Sequence, residues 1–174
     1  MNGILRQFWI LLIVTAVISS SLSYIVDRFT FEAGLFRLSL TGGSSQHLAM
    51  AILWDVSLAC LAKGLANTTL EATGSGFPEM KAMLFGKIIL NYLSLRVLVV
   101  KLVSLSLGIA AGLPLGKDGP NVHVAACLVR LLNPRFFDKY VSSGPHGAGS
   151  SDVGSTVSKL LLAACAMGFA CTFS

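Results

Sequence analysis

Two short stretches concentrate the residues able to do chemistry. Gly74, Ser75, Gly76, Phe77 and Pro78 set a hydroxyl between two glycines just ahead of a proline; Gly116, Lys117, Asp118, Gly119 and Pro120 repeat the arrangement with a charged pair in place of the hydroxyl. Proline is favoured in the first turn of a helix, where its missing N–H costs nothing, so each stretch reads as a break followed by a helix start. Unpaired N–H groups gather at such a start, and the aligned peptide dipoles add the equivalent of roughly half a positive charge. That combination binds anions. Inside a bilayer the point is sharper, because a bare ion in low dielectric carries a Born penalty of the order of tens of kcal/mol unless fixed dipoles replace its water. Interrupted helices near mid-membrane are a recurrent transporter device for this purpose. On this reading Ser75 directs its hydroxyl at an anion, while the glycines let backbone approach closely. Asp118 competes for the anion's place when ionised and withdraws when protonated, which makes a pH-sensitive gate. Each has a plainer alternative: Ser75 as an ordinary helix cap between flexible glycines, and Asp118 as a capping acid paired with Lys117.

The elements that must hold these breaks are read from composition and hydropathy. Of 174 residues, 54% are hydrophobic and 12% charged, with a mean hydropathy of +0.76, which points to an integral, multi-pass membrane protein whose partner is the lipid bilayer. Apolar runs lie at residues 8–26, 48–66, 97–115 and 160–173, and the first three approach the roughly 20 residues that cross a hydrocarbon core. The expected organisation is all-α, a single unit over 1–174 with spans at about 8–27, 48–66, 97–115, 120–132 and 158–174. A half-helix is expected at about 78–86, a loop over 27–47 marked by charge, Gly42 and Gly43, and a flexible loop over 141–157 rich in Gly and Ser with Pro145. The opening residues 1–21 also fit a secretory signal, with Arg6 before an apolar core and Ser19, Ser20 and Ser21 after it. Apolar character continuing through Leu22, Tyr24, Ile25 and Val26 favours a retained span.

Several classes are excluded. The net charge of +5 comes from scattered Lys and Arg, without the dense basic block that nucleic-acid binding needs. Cys60, Cys127, Cys165 and Cys171 sit in apolar stretches with no CxxC pair or zinc-spaced His, and read as small buried hydrophobes. No metal or cofactor is expected, and nothing points to an enzyme. Residues 111–118 superficially match a phosphate-binding P-loop, but Ala111 takes the first glycine position and Asp118 the Ser/Thr position. Asp55 is costly within an apolar span and its sequence neighbours name no partner, so a water-exposed or helix-end position is expected. His123 reads as a packed, hydrogen-bonded histidine rather than a proton relay.

The two breaks together, GSGFPEMK over 74–81 and GLPLGKDGPNVH over 112–123, resemble the signature motifs of the ClC chloride channels and chloride/proton exchangers, usually written GSGIPE and GKEGP, in order and separation. A third stretch, AACAMGFACTFS over 163–174, resembles the segment leading to the family's next turn and helix. The resemblance implies a partial first inverted repeat of a ClC-type fold with broken helices. It implies that Ser75 binds chloride, helped by N–H groups near Gly76 and Phe77, with proline at Ser75's place favouring nitrate. It makes Asp118 the gate where the family has glutamate, one methylene or about 1.5 Å longer. Lys101 matches a lysine common in the family and places a positive charge beside the pathway. Full-length members pair as homodimers, and the family's later GxFxP motif, pore-lining tyrosine, internal proton-accepting glutamate and cytoplasmic CBS domains would lie beyond Ser174. The expectation is therefore chloride transport, by channel or antiport, incomplete in this chain. The alternatives are a non-conducting membrane subunit, or a half-transporter that assembles with a complementary chain.

Overall fold

The computed structural model describes residues 2–41, 45–87, 89, 91–134, 137–138 and 152–173. The regular structure is helical: α1 Asn2–Leu40, α2 Ser45–Ala66, a 3₁₀ turn Leu70–Ala72, α3 Phe77–Leu84, α4 Leu95–Ala110, α5 Asp118–Leu132 and α6 Asp152–Ala170.

Helix α1 is longer than its apolar run. Where a loop is expected from Asp27, the helix continues to Leu40. Charge does not break it, because Arg28 pairs with Glu32 one turn on at 2.9 Å and also lies over the Phe31 ring, while Phe29, Leu35, Phe36 and Leu38 keep the outer surface apolar. The strong turn signals, Gly42 and Gly43, come only after Leu40 and lie outside the described residues. At 1.5 Å per residue the 39 residues of α1 run about 58 Å, well beyond a hydrocarbon core of about 30 Å. Helix α2 has 22 residues. Both turn large apolar side chains outward, among them Trp9, Ile13, Tyr24, Leu53 and Leu61, the surface that lipid rather than water would solvate.

The inner helices differ. Helix α4 has 16 residues and α5 has 15, about 24 Å and 22 Å at 1.5 Å per residue, so neither crosses a hydrocarbon core alone. Helix α4 stops at Ala110, short of the 97–115 span expected from hydropathy, because Gly112 turns with φ 74° and Pro114 follows. Helix α5 is enclosed: every residue from 119 to 129 is buried, which explains why its apolar residues are not confined to one face. It is wrapped by α6, α1, α4 and α3. Gly168 of α6 makes this possible, since a Cβ there would lie 2.5 Å from the Asn121 carbonyl. Buried Thr15, Ser19, Ser23 and Val26 form a stripe of small residues along α1, and Asn121 Nδ2 donates to Thr172 Oγ1 at 3.1 Å and to Ser23 Oγ at 3.5 Å. These small and polar contacts tie α1, α5 and the end of α6 together, as helices in lipid require.

Two further expectations are corrected. Asp55 is neither exposed nor terminal; it sits mid-helix in α2 and pairs with Arg37 of α1 at 2.9 Å. Sequence does not reveal the partner, because Arg37 falls in the stretch expected to be a loop. Cys127 is buried as expected, but Cys60 is exposed on α2. Of the flexible loop expected over 141–157, residues 152–157 are helical and the remainder lies outside the described residues.

Candidate functional site

The two Gly/Pro breaks are brought into contact. Helix α3 starts at Phe77, with Pro78 in its first turn, and its first backbone bond runs from the Met80 N–H to the Gly76 carbonyl at 3.1 Å. Helix α5 starts at Asp118, and its first bond runs from the Asn121 N–H to the Lys117 carbonyl at 2.9 Å. Gly119 lies directly on Ser75: a Cβ on Gly119 would come within 2.7 Å of the Ser75 carbonyl oxygen and 2.8 Å of the Ser75 Cβ. Only a glycine permits that approach. Forty-odd residues of sequence separate breaks that touch in space.

Beside this contact opens a cleft of about 460 Å³, lined by Gly74, Ser75, Lys101, Ser104, Gly116 and Pro120 among others. Ser75 is exposed to it, and its Oγ accepts the Phe77 N–H at 3.3 Å, which leaves the hydroxyl proton free to donate. Lys101 is 3% exposed. Its Nζ meets His123 Nδ1 at 3.0 Å, and among the described residues no carboxylate lies in ion-pair range of it. An ammonium carries three donors; one is taken by His123. A buried cation without a counter-charge is costly, and the cleft it lines is where an anion would relieve that cost.

Beneath the first break lies a polar network that sequence reading missed as a unit. Gly76 holds φ 83°, and a Cβ there would sit 3.0 Å from Lys101 Nζ, 3.0 Å from the Tyr92 hydroxyl and 3.1 Å from His123 Cβ. The Tyr92 hydroxyl stands 3.4 Å from both the Gly76 carbonyl and Glu79 Oε2. The Tyr92 and His123 rings stack at 4.1 Å and 9°, and His123 Nε2 lies 3.0 Å from the Tyr92 carbonyl. A signal existed for two of them: Lys101 stands within an apolar run and His123 between two valines. Their convergence on Gly76 is tertiary information.

The second break is built differently. Lys117 is drawn away from Asp118 and pairs with Asp27 of α1 at 2.7 Å, so it makes neither the Lys117–Asp118 pair considered as the plainer alternative nor a wall of the cleft. Asp118 is exposed at the start of α5. Among the described residues no hydrogen bond or ion pair holds its side chain, and it does not line the cleft that Ser75 and Lys101 share. Phe77 and Pro78 are exposed on the first turn of α3, and Gly119 and Pro120 are buried in the first turn of α5.

Comparison with known proteins places this geometry. The sequence model described as voltage gated chloride channel matches residues 58–174, which include both breaks. The chain is 37% identical over 173 residues to chloride channel protein clh-3 of Caenorhabditis elegans, covering 95% of this chain and 16% of that one. It is 33% identical to chloride channel protein 2 of Drosophila melanogaster, covering 98% and 14%, and 30% identical to chloride channel protein 2 of Homo sapiens, covering 95% and 18%. The crystal structure of a eukaryotic CLC transporter superposes with a TM-score of 0.78 at 26% identity, covering 99% of this chain and 32% of that one. The chain thus spans less than a fifth of the length of these curated relatives. Inner helices too short to cross a hydrocarbon core alone, two punctuations in contact and matches across nearly the whole chain lead to one conclusion: this is an integral membrane protein with a partial ClC-type fold, and it belongs to the voltage gated chloride channel (ClC) family.

Proposed function

We propose that this chain supplies one wall of a chloride pathway, with the Ser75 hydroxyl and the Lys101 ammonium as the anion's partners, helped by the N–H groups around Gly76 and Phe77, of which the Phe77 N–H is shared with Ser75 Oγ. The observation that carries the reading is Lys101, buried and with no carboxylate in ion-pair range among the described residues, in the cleft where Gly119 rests on Ser75. A fixed positive charge and a hydroxyl donor offer a halide what it loses with its water. Three relatives named as chloride channels support conduction as a channel; coupled exchange for protons, as in an antiporter, is the second reading, supported by the likeness to a CLC transporter. Asp118, standing at the second break, is proposed as the gate, and the full-length protein as a homodimer.

The test is chloride efflux from proteoliposomes, with external pH recorded during flux. Flux from the 174-residue chain that is lost in Lys101→Met and shifts toward nitrate in Ser75→Pro supports the reading, and proton movement against chloride selects exchange. Silence alone with flux restored by a complementary ClC segment selects the half-transporter. Flux indifferent to both substitutions removes these residues from the pathway.

A further inference from the structure

The proposed pathway leaves one buried group unused. His123 is fully enclosed, yet both of its ring nitrogens are engaged on opposite sides: Nε2 with the Tyr92 carbonyl at 3.0 Å and Nδ1 with Lys101 Nζ at 3.0 Å. A carbonyl oxygen only accepts, so Nε2 carries the ring proton. Nδ1 is then the acceptor, and Lys101 is the donor. The ring is fixed by three constraints at once, the two hydrogen bonds and its stack on Tyr92 at 4.1 Å. Tyr92 is in turn set by its hydroxyl, between the Gly76 carbonyl and Glu79.

Lys101, in contrast, has a flexible four-carbon stem, and long cationic side chains in apolar surroundings extend toward the nearest polar surface. Its hydrogen-bond partner among the described side chains is His123. From Nδ1 the ammonium reaches the space beside Gly76, 3.0 Å from where a Cβ would sit, and from there it lines the cleft with Ser75. Its position is therefore inherited from the ring.

We infer that His123, as the neutral tautomer protonated on Nε2, is the positioning residue for Lys101: it holds the ammonium against the Gly76 turn, and so sets the affinity for a halide that it does not itself touch. This rests on the anion-binding reading above. The charged group facing His123 is Lys101 on α4, and Tyr92 ahead of α4 stacks on its ring; Glu79 on α3 and Cys127 on α5 lie near Lys101, and Arg130 near Cys127.

The experiment combines chloride titration calorimetry on the 174-residue chain in lipid nanodiscs with ¹⁵N NMR of its labelled histidines, the His123 signal being assigned by its loss in His123→Asn. The ring is expected to show a protonated Nε2 and an acceptor Nδ1; a protonated Nδ1 overturns the proposal whatever the binding variants show. His123→Leu, which has no acceptor, is expected to weaken chloride binding about tenfold, and His123→Asn, whose Oδ1 stands near the Nδ1 position, to recover most of it. In a Lys101→Met background His123→Leu should cost nothing further. Equal loss in the Leu and Asn variants, or full additivity with Lys101→Met, would show a packing role only. Wild-type binding that is unchanged in His123→Leu removes the positioning role and leaves the anion site standing; no binding by the wild-type chain removes both.

Discussion

The two breaks share a pattern of residues but not a construction. At the first, Gly76 is enclosed by Lys101, Tyr92 and His123, and Ser75 is pressed by Gly119. At the second, Asp118 is exposed and held by no partner among the described residues, and Lys117 leans away to Asp27 on α1. One is a packed seat whose polar groups are determined by neighbours. The other has an acid free to choose its position. A binding element gains from pre-organisation, whereas a gating element must move, and the contrast fits that division of labour.

The sharpest way to break the contrast is to disturb the packed seat. Gly76→Ala adds a methyl at φ 83°, where L-residues cost about 1–3 kcal/mol, and crowds three polar neighbours at 3.0–3.1 Å, which adds about 1–3 kcal/mol of overpacking. The largest loss of thermal stability in nanodiscs is expected here, together with loss of chloride binding. A variant that melts with the wild type would mean the turn is not enclosed. Gly119→Ala comes next. Its Cβ would meet the Ser75 backbone at 2.7 Å, so α5 must slide or the first break must shift, costing about 1–3 kcal/mol. Because it pries the two breaks apart, it should weaken chloride binding more than its melting temperature alone would suggest. Intact binding would show that contact between the breaks is incidental.

What the sequence made legible follows from the range of each cue. Helix starts at Pro78 and Pro120 are local, and α3 and α5 begin within two residues of them. Apolar runs located α1 and α2, because lipid-facing helices need little beyond hydropathy. The end of α1 was not legible, since Asp27, Arg28, Glu32 and Arg37 look like a loop until Arg28 finds Glu32 and Arg37 finds Asp55. The candidate site divides in the same way. Ser75, Lys101 and Asp118 could be singled out by type and motif. That Lys101 reaches the first break through His123, and that Lys117 leaves Asp118 for Asp27, are contacts across 22 and 90 positions that no local pattern encodes.

Smaller effects are expected at the second break, where they sharpen the comparison. Asp27→Asn removes the partner of Lys117 in a pair that is partly exposed on both sides, so stability should fall by no more than about 1 kcal/mol. The released ammonium lies one residue from Asp118, and the pair excluded in the present arrangement then becomes available. Asp118 held by Lys117 would be a poorer gate, so flux through the full-length protein should depend less steeply on external pH. Lys117→Gln in the same background should restore the dependence. Unchanged pH dependence in Asp27→Asn would show that Lys117 is not kept from Asp118 by α1.

Asp118→Ala is expected to have the smallest effect on folding and the most selective effect on function. The side chain is exposed and held by no described partner, so the change in stability should stay within about 0.5 kcal/mol, and chloride affinity at the packed seat should be unaltered because Asp118 does not line that cleft. If the acid gates, the variant loses its response to voltage and external pH while conduction persists. Asp118→Glu supplies the complementary change: one more methylene, about 1.5 Å of reach, should deepen closure at high pH if the side chain swings toward the anion. Matching pH profiles in the aspartate, alanine and glutamate forms would place the gate elsewhere and leave the second break as a support for α5, with the division between a packed seat and a mobile acid gone.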